Sequence, residues 1–458
     1  MPVTSQHSTY AAAADKWKTV RDCVSGQKAV KAAKTRYLPG FVPEDKARYD
    51  AYVKRARFLN VTGRTLKALT GAVFRKDPEI ELPAELEYLL ENMDGSGQSV
   101  TQLAKRAVDE DLTIGRYGLL VDFPAADENL TAEQVAMLEL QAYAAPYTAE
   151  NIINWKTSVI NGKLSYTLIV LKEMIEIPVD EFESRSEPQY RVLSLIDNIY
   201  QQNIYNEKGD LVEGPIIPKQ GNGEYWPIIP FVFLGAQDNK PDVDEPPLYD
   251  LAETNISHYQ VSADHMENLH IHGQLTLGIS SSLSVEQFKE ANPNGVAVGS
   301  RSGHFLGEGG SFTTATAPES TSLSKALEDI KADMVAIGGR IIQTRSGNQT
   351  AEAARIDASS EHSVLQTLVG NVSEGIEQVI EYIAMFMNAD PEKVAFQLNR
   401  DFFDVQPDPQ MVMALMGLRD AGDIATADVR AYLRKTGALA EDRTDQDLDL
   451  EAEVRPVL

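Results

Sequence analysis

The chain has 458 residues, 43% hydrophobic and 24% charged, with a formal net charge of −26. That is the composition of a globular protein rather than of a disordered chain, and the length allows about three domains. No stretch reaches the ~18 apolar residues of a membrane span, MPVTSQHSTYAAAADKWK lacks the apolar core of a secretory signal, and the single Cys23 excludes an internal disulfide and fits a reducing cytosol. The charge is uneven. Residues 1–76 hold 16 Lys and Arg against 5 Asp and Glu, or +11, which leaves −37 for the other 382. An acidic body repels nucleic acid, because tight binding needs Lys and Arg to replace phosphate counterions. The basic segment reads either as a solvated helical face or as a docking arm for an acidic neighbour, which another copy of the chain could supply.

Residues 44–76 are expected to form one long helix: Glu44 and Asp45 enrich its first turn, Leu59, Leu66, Leu69 and Val73 recur at helical spacing, and Pro78 ends it. A second helix should start near Ser99, with Val100, Leu103, Ala107 and Ile114 facing inward, and feed GRYGLLVDFP (115–124), a short buried strand closed by Pro124. Strands should dominate 150–235, with hairpin turns at Asn161-Gly162 and at Glu207-Lys208-Gly209-Asp210. The polar, proline-rich GAQDNKPDVDEPP (235–247) marks a boundary.

Leu248 then opens a helix in which Ala252, Ile256, Tyr259, Ala263 and Met266 make a heptad seam. Residues 274–320 are rich in glycine, serine and threonine, with short strands in GVAVGS, GHFLGE and GSFTTATA around a small helix, SVEQFKEA. A returning helix repeats the seam through Leu323, Leu327, Ile330, Met334, Ile337 and Ile341, and stops at TRSGNQT, 344–350. A long third helix follows to about Met387, with Leu365, Leu368, Val372, Ile376, Val379, Ile383 and Phe386 on one face. Two short helices, 408–421 and 425–436, are joined by Gly422, and the tail from Glu441 to Glu453, with seven acidic residues, is expected to be mobile. The two helices around the insert must run antiparallel. Such a hairpin has few contacts with its own body, so its seams need partners, and a head-to-tail contact between copies that closes makes a ring.

Four of the seven histidines lie in NISHYQVSADHMENLHIHG, 255–273. His258, His265 and His272 are seven residues apart and form a polar stripe beside the seam. Their span of roughly 21 Å at ~1.5 Å per residue is too long for one metal ion. The i, i+4 pair of H-E-x-x-H is absent. His270 and His272 could chelate together only from extended backbone, and a metal nuclease using them with Asp264 or Glu267 is the strongest enzyme alternative. The chain lacks G-x-x-x-x-G-K-[ST], GEGGS (307–311) lacks the lysine and the following helix, and Cys23 has no identifiable histidine partner. The expectation is therefore no enzyme, no cofactor and no bound metal.

The order of these elements resembles the portal proteins of tailed bacteriophages: wing, stem helix, clip, stem helix, tunnel loop, long helix, crown. Local residues also resemble a portal-like family found on phage genomes: Trp17 with Arg21-Asp22 and Gly26, Tyr37-Leu38-Pro39, Gly71-Ala72-Val73-Phe74 before Pro78, GRYGLLVDFP, Ile153-Asn154-Trp155, Ile229-Pro230-Phe231, and the stretches Leu248–His272 and Thr350–Leu368. None is catalytic; their order carries the resemblance, which covers most of the chain.

The resemblance implies an α+β portal fold with a mixed α/β wing over 1–246 (the basic segment 1–76 included), a first stem helix over 247–273, a small α/β clip over 274–320 and a second stem helix over 321–343. A tunnel loop over 344–350, a long wing helix and return segment over 351–400, and a helical crown with the acidic tail over 401–458 complete it. It also implies a homo-oligomeric ring, typically of twelve subunits, at one capsid vertex of the virion, assembled in the bacterial host cytoplasm. The ring would be the channel through which double-stranded DNA is packaged and ejected without sequence specificity. Terminase would dock on the clip, head–tail adaptors would replace it, and major capsid and scaffolding proteins would be further partners; no membrane is involved. An acidic body suits a conduit that must not hold its DNA. The seams become stem packing, and His258, His265 and His272 would face a neighbouring stem or the channel. They would be satisfied or solvated there, or would act in a pH-sensitive subunit contact, because histidine titrates near neutrality. Arg345, Ser346, Gly347, Asn348 and Gln349 become a tunnel loop near DNA, where the residues alone suggest an ordinary helix connection. The structural alternative is a head–tail adaptor or collar, though adaptors are usually much shorter.

Overall fold

Helices dominate the described part of the first 114 residues, where apolar side chains recur at helical spacing and polar caps close several ends. The computed structural model describes residues 2–40, 45–124, 140–160, 162–272, 276–293, 305–315, 321–342, 364–400, 402, 409–435, 438–439 and 443–454. Helix α1 is Ser8–Ser25, capped by the His7 side chain and ended at Gly26, whose φ of +87° suits glycine. Helix α2 (Gln27–Ala32) follows. The single helix expected over 44–76 is two, α3 (Lys46–Arg55) and α4 (Val61–Val73). The break lets Phe58 turn inward, and Asn60 caps the new helix by accepting from Gly63 N at 2.7 Å. Helix α5 (Val100–Ile114) opens with a Ser99/Gln102 capping box and closes at Gly115, φ +74°.

The chain then becomes sheet. Strand β1 (Glu79–Glu81) precedes α5, and β2 (Arg116–Asp122) follows it directly. Strand β2 is central in a three-stranded antiparallel sheet, between β3 (Tyr143–Thr148) and β9 (Phe231–Gly235). Between these two lies a five-stranded antiparallel meander: β4 (Ile152–Ile160), β5 (Lys163–Pro178), β6 (Ser184–Ile196), β7 (Ile199–Asn206) and β8 (Leu211–Ile216). Gly162 (φ +77°) and Gly209 (φ +88°) sit in the two expected turns. Gly118 has no room for a side chain: a Cβ there would collide with Phe231 and Ile152.

From residue 249 the chain is again helical: α6 (Tyr249–His272), then β10 (Thr276–Ser280), α7 (Val285–Ala291), β11 (Ser311–Ala315) and α8 (Thr321–Ile342). GVAVGS, expected as a strand, lies outside the described residues, and 305–308 are not a strand. Helix α9 (Val364–Met387) crosses β9, β2 and α5, burying the row from Leu365 to Phe386. This row joins the largest core cluster. Strand β12 (Ala395–Gln397) returns to pair with β1.

Helices α10 (Pro409–Ala421) and α11 (Thr426–Lys435) turn at Gly422, φ +83°. The acidic tail, expected to be mobile, forms helix α12 (Asp445–Val454). Arg430 and Arg434 on α11 hold its Asp449 and Asp445 at 2.5 Å, which neutralises part of the repulsion that would otherwise keep it unfolded. The segment 235–247, expected as a domain boundary, packs into the body instead, because its carbonyls receive the buried Arg116.

Candidate functional site

The element that the sequence singles out is the hairpin of α6 and α8. The two helices pack on each other, and β10 pairs with β11 antiparallel from Thr276↔Ala315 to Ser280↔Ser311. That pairing places the end of α6 beside the start of α8 and puts the insert at the far end of an antiparallel pair.

The seams do pack, but largely within the chain. Ala252, Tyr259 and Ala263 are fully or almost fully buried and Ile256 nearly so, against α1, α3, α4 and α8, whereas Met266 is half-buried. On α8 only Met334 is fully buried. Ile330 and Ile337 are partly buried against the main core, and Leu323 and Leu327 are half-buried. The side chain of Ile341 lies outside the described residues. The body thus fills the proximal part of the hairpin, which the sequence had left to neighbouring copies. Among the described residues the distal part leaves Leu269, Ile271, Ile279, Val285 and Phe305 exposed, and on α8 Val335 is exposed as well.

Polar groups fix the seating. Asn255, fully buried on α6, reaches the start of α4: its Oδ1 accepts from Val61 N (3.2 Å), Thr62 N (3.2 Å) and Thr62 Oγ1 (3.0 Å), and its Nδ2 donates to Leu59 O (2.9 Å). Tyr52 Oη donates to Asp264 at 2.6 Å, Arg55 pairs with Glu267, and Gln260 Nε2 donates to Tyr37 O at 2.8 Å. Asp264 and Glu267, the carboxylates of the metal alternative, are therefore engaged with α3.

The histidine stripe does not behave as a unit. His258 is buried, its Nδ1 without a hydrogen-bond partner, and burial together with the Lys331 charge from α8 lowers its pKa. It is covered by the α3–α4 link and lies near Lys331 of α8, so it is more buried than a solvated stripe would be. The buried face of α6 is wider than its heptad seam, because three helices and α8 pack around it. His265 is half-buried, with Nδ1 also unpartnered. The side chain of His272 lies outside the described residues, as does the whole stretch Arg345, Ser346, Gly347, Asn348 and Gln349. Among the described residues no three His, Cys, Asp or Glu are grouped to hold a metal ion, and no helix is long and apolar enough to cross a membrane. The Cys23 thiol, pushed up to about 12 by burial and then by Asp22, donates to Ala252 O at 3.6 Å.

Sequence reasoning missed the charges that pin the body. Arg116 is only 1% exposed: its Nη1 donates to Pro241 O (2.6 Å) and Asp242 O (3.1 Å), and its guanidinium lies 4.1 Å from the Trp155 ring centroid and 4.4 Å from that of Phe233. Burial lowers its pKa to about 10, so it stays a cation. A lone charge opening an otherwise apolar strand was the available signal. Arg191 joins the two sheets, donating to Glu173 (2.7 Å) and Gln202 (2.7 Å), while Gln202 donates to Asp122 at 3.0 Å. Arg21, in the quoted Trp17–Gly26 stretch, bridges Glu110 and Glu150, at 2.5 Å and 2.8 Å, and ties α1 to α5. Lys16 and Arg55 also pair with carboxylates outside the segment, whereas Lys18, Lys34 and Arg36 pair with the segment's own Asp22, Asp50 and Asp15, so its surplus of cations is only partly taken up within the chain.

Asp111 is the exception in this scheme. It is fully buried, both carboxylate oxygens lack partners, and burial, Glu110 and Asp244 raise its pKa well above the ordinary value. A carboxyl with a raised folded pKa costs stability as pH rises above the unfolded value of ~3.9, until pH passes the folded value. Asp111→Asn should therefore be close to neutral at about pH 4 and progressively more stabilising as pH rises above that. The difference should grow by up to about 1.4 kcal/mol per pH unit, read from paired denaturant titrations. A difference that does not grow with pH would mean that Asp111 is ionised and solvated.

A family model described as a domain of unknown function, DUF4055, matches residues 247–387, from the start of α6 to the end of α9. No curated protein matches the sequence. Among solved structures, the chain is similar to a protein in the neck of an empty gene transfer agent (GTA) particle, computed with C6 symmetry: 13% identity, TM-score 0.42, 92% of this chain and 96% of that one. It is also similar to a protein of the native GTA virion, at 13% identity and TM-score 0.40 over 93% and 99% of the two chains. A third likeness is to the neck of the native particle computed with C12 symmetry, at 14% identity and TM-score 0.40 over 88% and 97%.

Proposed function

We propose that the chain is the subunit of a portal ring, typically of twelve copies, that forms a channel for double-stranded DNA at one vertex of a phage-like capsid. The observation that carries this reading is the α6/α8 hairpin: two long antiparallel helices seated on an α/β body, with a small β10/α7/β11 insert at the far end and a long helix, α9, returning across the core. This matches the element order on which the sequence resemblance rests, stem, clip, stem, long helix, with the body as wing and α10 to α12 as crown. The role we assign is structural. The exposed apolar residues of the insert are the docking surface we assign to terminase and then to head–tail adaptors, and 344–350 is the loop we assign to the DNA path.

The reading is tested in a packaging system. Replacing 276–315 by a short glycine-serine linker should leave ring assembly intact and abolish terminase-dependent filling, giving empty heads. Full heads with the insert removed would contradict it.

A further inference from the structure

The five-stranded sheet carries an arm with no strand partner beyond its own hairpin among the described residues. Strand β4 pairs with β5 only as far as Ile152↔Leu171, and β7 pairs with β6 only from Asn206↔Gln189. Residues 174–188 of the β5/β6 hairpin are thus paired only to each other, from Met174↔Pro188 to Pro178↔Ser184. Five residues at ~3.4 Å each carry the strands ~17 Å past the sheet. The arm exposes Met174, Ile177 and Val179, and its tip is Phe182, 96% exposed. It holds five carboxylates, Glu176, Asp180, Glu181, Glu183 and Glu187, against the single Arg185. A two-stranded ribbon is marginal in water, and an apolar tip of this kind marks a contact surface.

The complementary surface lies elsewhere on the same chain. Between α2, the α3–α4 link and α6 is a cleft of about 770 Å³. Lys31, Lys54, Arg55 and Arg57 line its rim, with Phe58, Leu59 and Met266 as apolar wall. His258 and Ser262 line it as well; both are buried, and Nδ1 of His258 has no hydrogen-bond partner. This is the one part of the basic segment where cations converge on a concave apolar surface.

The geometry points to an arm exchange: the acidic β5/β6 arm of one copy seats in the basic cleft of the next, with Phe182 against Phe58 and Met266 and with Glu181 and Glu183 towards Lys54 and Arg57. The pairing uses two different surfaces of the chain, which is the head-to-tail arrangement that closes into rings. Complementary charge sets register and encounter rate, and the aromatic tip anchors. This assignment rests on the ring reading above.

The test places a photo-activated benzoyl-phenylalanine at position 182 of the full chain and maps cross-links in the assembled species by mass spectrometry. Cross-links into 54–59 or 258–266 of an adjacent copy are expected. Glu181→Lys with Glu183→Lys should raise the concentration for half-assembly at least about tenfold, and Lys54→Glu with Arg57→Glu in the same chain should restore it. Rings that form with cross-links elsewhere, or charge swaps that do not compensate, overturn the arm exchange and leave the ring standing. A chain that stays monomeric overturns both.

Discussion

Arg116→Ala is expected to cost about 2–4 kcal/mol of unfolding free energy. The guanidinium is sandwiched against Trp155 and Phe233 and donates to Pro241 O and Asp242 O. Alanine leaves those carbonyls short of a donor and opens a cavity beneath two aromatic rings. Arg116→Lys keeps the charge but loses the flat stacking surface, so it should recover only part of the loss. Trp155 lies on the site and makes its fluorescence in a urea titration a local readout. A loss below about 1 kcal/mol for the alanine variant would show that the 236–247 segment does not depend on Arg116.

Asn255→Ala should cost about 2–4 kcal/mol, because it strips the acceptor from the buried Thr62 N and from Thr62 Oγ1 at the start of α4, each orphaned group costing ~1–3 kcal/mol, while Val61 N keeps its bond to Leu59 O. The distinguishing measurement is hydrogen exchange. Protection of the Thr62 amide should collapse while that of α5 and β2 stays as in the parent. Uniform loss of protection would mean that the residue matters only through general packing. The effect bears on assembly as well, because Asn255 locks the proximal end of α6 to the helical layer and so fixes the direction of the whole hairpin.

These two residues also mark where the sequence stops being readable. Helix α5, strand β2, α6, α8 and α9 were legible because each combines sustained periodicity with a local stop or cap: Ser99, Gly115, Pro124. The turn at Asn161-Gly162 was legible because turn chemistry is local. The division of 44–76 into α3 and α4 was not, since the apolar spacing runs through it and the group that supports the break, Asn255, stands 194 residues away from Val61. The burial of His258 was illegible for a related reason: heptad bookkeeping assigns a narrow seam, while the α3–α4 link and α8 cover a broader face of α6. The ordering of Asp445–Val454 depends on Arg430 and Arg434, whose approach follows from a tertiary turn at Gly422. The β5/β6 arm was read as ordinary strand, because the length of a strand says nothing about where its neighbours end.

The most direct measurement of the central claim is the mass of the purified full chain by native mass spectrometry, followed by imaging of the largest species, with scaffolding protein added if the chain alone stays single. We expect a closed ring of about a dozen copies with an axial hole wide enough for duplex DNA, the hairpins converging on the axis. A species that stays monomeric with scaffold present, or an assembly without an axial opening, would contradict the account.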